Sequence, residues 1–352
     1  MSMFRRQFIQ RAGLLAAVPA LAVGAPNALA STTCTGGRVV VGTWGGDYQR
    51  LLQENIDPIA KAMNLEPIYD VGAALTRQTK MRAERNARRS TLDVSLLRDN
   101  DMYQMFAEET TKPIDAALVP NLKNVIPGLA RSYSVPHICS VLVLVFHTEH
   151  VRTAPSGMAA LLDKSLSGRV GVVDDQYDYL TLAGSLASGK GAKDLEAGQQ
   201  FLRELKANKP KVYPSVDALA SALKSGEIWV TVTWKARALQ WKKAGLPLAF
   251  VFPKEGALPA TFEAAITAGS RVGECGMGYL NAMLDPRAQR AFAETMGYAP
   301  TIVNAGLPAA LAETVGFGRE ELERLVQVDF ELLMKNKSAL LDFWNKDFRV
   351  GL

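Results

Sequence analysis

Histidine and cysteine are scarce, with three of each in 352 residues. No two cysteines stand in a CxxC, which excludes a zinc or redox centre of that type. His137, His147 and His150 are the only histidines. His147 and His150 fall at a strand end with Glu149 between them, which is poor spacing for metal ligation. No apolar run reaches the roughly 20 residues needed to cross a bilayer, that of the first 30 residues included; beyond it, the strongly apolar 141–146 is only strand-length. There is no internal repeat and no low-complexity segment. A phosphate-cradling loop is also missing: Gly184-x4-Gly189-Lys190 comes near it, but Gly191 stands where Ser or Thr is required, at the end of a helix rather than before one. Ser221-Ala-Leu-Lys224 matches an SxxK serine-hydrolase motif, but the other two motifs of such enzymes do not follow.

The chain opens with an export signal. Arg5-Arg6 precedes Phe8, a weakly apolar stretch follows over 13–23, and Ala28-Leu-Ala30 gives the small-x-small pattern of a cleavage site. The arginine pair resembles a twin-arginine signal, so residues 1–30 are expected to be removed after export to the periplasm. Cleavage leaves about 322 residues, enough for two lobes. The formal charge of +5 falls to +2, because the signal holds three arginines and no acid. That balance gives nucleic-acid binding no support. The basic run from Arg77 to Arg89 lacks interleaved aromatics and reads as a solvated helix face.

The organising stretch is Arg38-Val-Val-Val-Gly-Thr-Trp-Gly-Gly-Asp-Tyr48. Its first six residues form a short β-branched run, as in a strand covered on both faces. Gly45 and Gly46 allow a sharp turn, and Asp47 is placed to cap a helix whose apolar face runs from Tyr48 to Met63. Such a unit sets Trp44 and free helix N–H groups at the carboxyl end of a sheet, where α/β proteins bind small ligands. Strands over 65–71, 92–97 and 139–147 follow, with helices over 74–89 and 102–108. A second set has strands at 169–173, 211–213, 228–234, 248–252 and 261–267, with helices between them. The rest is helical, ending in a long helix around 330–344. Alternating strands and helices in two sets predict an α/β protein of two lobes with mainly parallel sheets and a cleft between them.

Two constellations carry chemistry. Asp175 and Asp178 follow a buried strand about one turn apart, so both carboxylates can face one cleft. They suit an ammonium ligand or a general acid/base pair; capping of the next helix by Asp174 or Asp175 is the simpler alternative. Trp234 also ends a buried strand and can face a cationic or aliphatic ligand, or simply pack between lobes. Lys235 and Arg237 come next; a ligand met by either would carry a carboxylate or phosphate.

Taken in order, these pieces resemble bacterial extracellular solute-binding proteins of the spermidine/putrescine-binding type, the receptors of ABC importers. The marks are Gly42-Thr-Trp-Gly-Gly46, Tyr133-Ser-Val-Pro136, Val172-Val-Asp-Asp-Gln-Tyr-Asp178, Thr233-Trp234, Phe252-Pro-Lys-Glu-Gly256 and Glu294-Thr-Met-Gly-Tyr298. The resemblance implies a two-lobed periplasmic-binding-protein fold that closes on its ligand. Residues 38–143 with 265–306 are expected to form one lobe, and 144–264 with 307–352 the other. It implies that Asp175 and Asp178 bind amine nitrogens, that Trp234 stacks on the alkyl chain, and that Tyr298 lines the pocket. Trp44, Asp47 and Tyr48 would form the first-lobe wall. Two departures stand out. The family's Trp-x-Asp after Pro-Lys-Glu-Gly is here Ala260-Thr-Phe262-Glu263, leaving Glu263 as a shifted acid, and Lys235-Ala-Arg237 replaces small polar residues. Arg237 would suit an amino-acid ligand such as γ-aminobutyrate. The expected function is therefore capture of a polyamine for an inner-membrane ABC permease, by a monomer without cofactor or catalysis. An amino acid is the alternative ligand, and a secreted hydrolase the remote alternative function.

Overall fold

Strand formation here follows the β-branched runs, and helix formation the punctuation between them. The computed structural model describes residues 37–352 except 88 and 89; the signal at 1–30, Cys34 and the end of the basic run lie outside the described residues. The first part comprises β1 (Arg38–Thr43), α1 (Asp47–Asn55), α2 (Asp57–Ala62), β2 (Glu66–Val71), α3 (Ala74–Glu84), β3 (Val94–Arg98) and α4 (Asp99–Ala107). The single helix expected after β1 is broken in two at Ile56, because Pro58 cannot donate to the ladder and instead starts α2. A long irregular passage leads to β4 (Val135–His147), all 13 residues of which are buried.

The second part comprises β5 (Val170–Val173), α5 (Tyr177–Ala187), α6 (Leu195–Lys206), β6 (Lys211–Tyr213), α7 (Val216–Lys224), β7 (Val230–Trp234), α8 (Lys235–Lys243) and β8 (Leu248–Val251). The chain then runs back through β9 (Pro259–Ile266), α9 (Gly273–Met283), α10 (Pro286–Met296) and β10 (Ala299–Pro300). It ends with α11 (Ala309–Val315), α12 (Arg319–Glu323) and α13 (Phe330–Phe343).

The strands pair in the order β2-β1-β3-β9-β4-β7-β5-β6, with β8 and β10 also on β4. The flanks are parallel: β1 with β2 and β3, β5 with β6 and β7. The centre is antiparallel, because β4 and β9 traverse the molecule in opposite directions. The sheet is thus mixed, with parallel βα units at its flanks. β4 pairs with β9 through Val141 and with β7 from Leu142 onward, so one strand belongs to both flanks.

Buried side chains gather on either side of that strand. Val39, Val41, Leu52, Ile56, Ile266, Leu280 and Phe292 fill one core. Leu142, Val170, Val172, Tyr179, Leu202 and Phe348 fill another. Cys139 is a free, buried thiol, whereas Cys275 is disulfide-bonded. No helix among the described residues is long and apolar enough to cross a membrane.

Candidate functional site

Both parallel flanks direct strand ends toward the same region. There β1 delivers Trp44, β3 delivers Arg98, and the short turn after β5 delivers Asp175 and Asp178. These residues, with Asn100, Asp101, Tyr177, Phe262 and Lys337, line a cavity of about 400 Å³. One wall is aromatic: Trp44 meets Phe262 edge to face, with ring centroids 5.4 Å apart.

Trp44 is held from behind by Arg77. This arginine is 2% exposed and its guanidinium lies 4.5 Å from the Trp44 ring. It donates to the carbonyls of Thr43 (2.9 Å), Gly72 (2.6 Å) and Leu96 (2.9 Å), which ties the ends of β1 and β2 to the middle of β3. Burial lowers its pKa to about 10, leaving it charged at neutral pH. The solvated face expected for the Arg77 run therefore does not hold at its first residue: three carbonyls on and just past neighbouring strands need a donor, and Arg77 supplies it.

Asp178 is the more enclosed of the two aspartates. Its Oδ1 accepts from the Tyr179 backbone N–H at 2.8 Å and its Oδ2 from Asn100 at 3.4 Å. Arg98 stands 3.9 Å from Oδ2, close enough to attract and too far to hydrogen-bond. Burial raises the Asp178 pKa, and Arg98 opposes the rise. For Arg98, burial acts to lower the pKa, but Asp178, Tyr179 and Asp99 outweigh it and hold the group above its ordinary value. Asp175 is exposed on the same cavity wall. Neither Asp174 nor Asp175 caps the following helix through its side chain; Asp174 instead accepts from the Trp344 indole at 2.7 Å.

The other anticipated residues lie off this wall. Asp47 is exposed and paired with Arg50 at 3.0 Å. The cap position belongs to Gly46, whose φ of 66° and ψ of −140° suit glycine alone, so Asp47 falls one residue inside the helix. Tyr48 is buried and shares a hydrogen bond of 2.7 Å with His137 Nδ1; burial lowers that histidine's pKa to about 3. Trp234 is 8% exposed and backs Tyr179 edge to face at 5.1 Å. Arg237 donates to Gln240. Tyr298 is buried against Phe262 at 5.5 Å. Lys235 is buried too, and donates to the Gly316 carbonyl at 2.7 Å.

Strand alternation decides between Phe262 and Glu263. Phe262 faces Trp44, so Glu263 turns to the other side of β9. There it is fully buried and accepts from Ser134 (2.5 Å) and Thr261 (2.9 Å), with Arg131 3.8 Å away. Burial, reinforced by Asp99, raises its pKa to about 7.

A larger cavity, about 1160 Å³, lies on that other side, among Arg131, Tyr133, Thr261, Ile302, Phe317 and Val326. Its walls are mostly apolar, and the paired carboxylates do not reach it. The smaller cavity is the better candidate because the strand-end carboxylates Asp175 and Asp178 line it together with Trp44 and Phe262.

Sequence reasoning missed Arg98, Asn100, Asp101 and Lys337. The first three were within reach. Placing the end of β3 one residue later and the start of α4 three residues earlier puts them at a strand-to-helix junction, the position that flags binding residues in α/β proteins.

Comparison with known proteins places this geometry in context. Residues 69–318, more than two thirds of the chain, match the family model of bacterial extracellular solute-binding proteins. The spermidine/putrescine-binding periplasmic protein of Salmonella typhimurium is 26% identical over 208 residues, 55% of this chain and 59% of that protein, so the match covers under two thirds of the relative. Among solved structures, a spermidine/putrescine ABC transporter substrate-binding protein, PotD from Streptococcus pneumoniae, superposes with a TM-score of 0.72 at 20% identity, covering 87% of this chain and 98% of that one. A GABA receptor superposes with a TM-score of 0.75 at 16% identity, covering 88% and 96%. At these identities the structures establish the two-lobed fold of periplasmic binding proteins. With a matching family model over most of its length, the chain belongs to the bacterial extracellular solute-binding protein family.

Proposed function

We propose that the chain is the periplasmic receptor of an ABC importer and captures a small amine-bearing solute for an inner-membrane permease. The observation that carries this reading is the pair Asp175 and Asp178 on one cavity wall with Trp44 and Phe262, an acidic and aromatic lining suited to an alkylammonium group. Polyamines such as putrescine and spermidine are the favoured solutes, in keeping with the relatives that bind them. The two halves, 38–143 with 265–306 and 144–264 with 307–352, close around the ligand about β4 and β9. The receptor works as a monomer, without a cofactor and without turnover.

Arg98 favours a second reading, an amino acid such as γ-aminobutyrate, because it adds a cation to the same wall. A thermal-shift screen of residues 31–352 tests both. Ligand at 100 times its dissociation constant adds about 2.7 kcal/mol. Stabilisation by putrescine or spermidine supports the first reading and stabilisation by γ-aminobutyrate alone supports the second; no response to any amine contradicts both. A turnover assay on amide and ester substrates, expected to be silent, separates a receptor from a hydrolase.

A further inference from the structure

We propose that Arg98 sets how strongly the cleft discriminates between amines: its guanidinium, the built-in counter-cation of Asp178, offers a partner to a solute carrying a carboxylate beside its amine and so narrows the preference for polyamines. The proposal rests on the amine reading above and goes beyond it by naming the residue that sets the balance between its two solute classes.

Arg98 is the last residue of β3, and its extended backbone (φ −70°, ψ 152°) turns the side chain out at the start of α4. Two contacts fix it there. Its Nε donates to Asn100 at 3.1 Å, and its plane lies over the Tyr179 ring at 5.4 Å. Its carboxylate neighbours are both at arm's length: Asp178 at 3.9 Å and Asp99 at 4.0 Å. Among the described residues its two terminal nitrogens make no hydrogen bond, yet its side chain is 21% exposed and lines the cavity. A planar fork with free donors, held rigid and open to a cleft, is the side-chain geometry that takes a carboxylate in bidentate fashion.

Charge balance leads to the same conclusion. Asp101, Asp175 and Asp178 share the cavity with Arg98 and Lys337. Arg98, 3.9 Å from the Asp178 carboxylate, partly neutralises it, so a second ammonium in the cavity meets a like charge on the same wall. A zwitterion places its ammonium toward the aspartates and its carboxylate toward Arg98, and leaves neither class of group unpaired.

The test measures selectivity and the Arg98–Asp178 coupling separately. Dissociation constants for putrescine and γ-aminobutyrate are determined by calorimetry for residues 31–352 and for Arg98→Gln and Arg98→Lys, and the Asp178 carboxyl is titrated by carbon-13 NMR. In Arg98→Gln the ratio of the two constants should shift at least about tenfold toward putrescine, and the Asp178 pKa should rise. Arg98→Lys keeps the charge and loses the planar fork, so its ratio should fall between those of wild type and Arg98→Gln, and melting transitions at the wild-type temperature guard against a folding defect in either variant. A ratio unchanged in Arg98→Gln while the wild type binds one of the amines overturns this proposal alone, as does an Asp178 pKa that stays put. Binding of neither solute by any of the proteins overturns the amine reading and this proposal together.

Discussion

Arg77 shows how much one side chain can organise. It sits in a helix that reads as polar, yet it ties three strands together through their carbonyls and supports Trp44. Arg77→Met keeps the packing volume and leaves three carbonyls without their donor. It should cost roughly 2–4 kcal/mol in urea unfolding; a loss within experimental error would mean that water replaces the guanidinium at no cost. Glu263 gives a second prediction at this scale. Its folded pKa, about 7, lies above its ordinary 4.5, so the folded state holds the proton more tightly. The associated stability is complete below pH 4.5 and is lost as pH rises through 7, a loss of roughly 3 kcal/mol. Glu263→Gln keeps an acceptor oxygen for one of the two hydroxyls, turns an amide donor toward the other, and removes the titration. Between pH 5 and pH 8 the wild type should therefore lose roughly 2–3 kcal/mol more than the variant, part of the full term being gone already at pH 5. Parallel pH profiles would show that Glu263 ionises in the folded state at no extra cost.

Among the elements, α5 connects packing to the site most directly, because Asp178 rides in its first turn while its middle packs on α6. The two helices approach so closely that a Cβ at Gly198 would lie 2.1 Å from the Thr181 carbonyl oxygen. Gly198→Ala must push α6 away from backbone, which cannot yield as a side-chain tip can. A cost of roughly 2–3 kcal/mol is expected, and unchanged stability would mean that the helices separate without resistance. The expected strands and helices on the parallel flanks match the observed ones closely, because β-branched runs and glycine stops are local signals. Pro286–Met296 and Lys211–Tyr213 begin and end where the pattern places them. The antiparallel centre was hidden, since pairing between residues 94–98 and 262–266 is fixed by tertiary contacts and leaves no mark in either segment alone. For the same reason Glu263 looked eligible for the cleft: one residue of strand register moves a side chain to the opposite face. Asp175 and Asp178 were legible because they follow a strand at helical spacing. Arg98 was not, because its strand end was set one residue early.

For the whole molecule, β4 and β9 are the shared frame. Asp99 fastens one flank to the other there: it accepts from the Thr261 backbone N–H of β9 at 2.8 Å and from the Tyr179 hydroxyl of α5 at 3.3 Å. A receptor that closes by bending this frame should become more compact with its solute bound, which small-angle scattering reads as a smaller radius of gyration; an identical radius in both states would argue against closure. The most direct measurement for the account as a whole is calorimetric titration of residues 31–352 and of Asp178→Asn with putrescine, spermidine and γ-aminobutyrate. At least one of these amines should bind the wild type at a single site, and Asp178→Asn should weaken it at least about tenfold with its melting transition intact. Wild-type protein that ignores all three, or a variant that binds as tightly as the wild type, would contradict an ammonium held at Asp178.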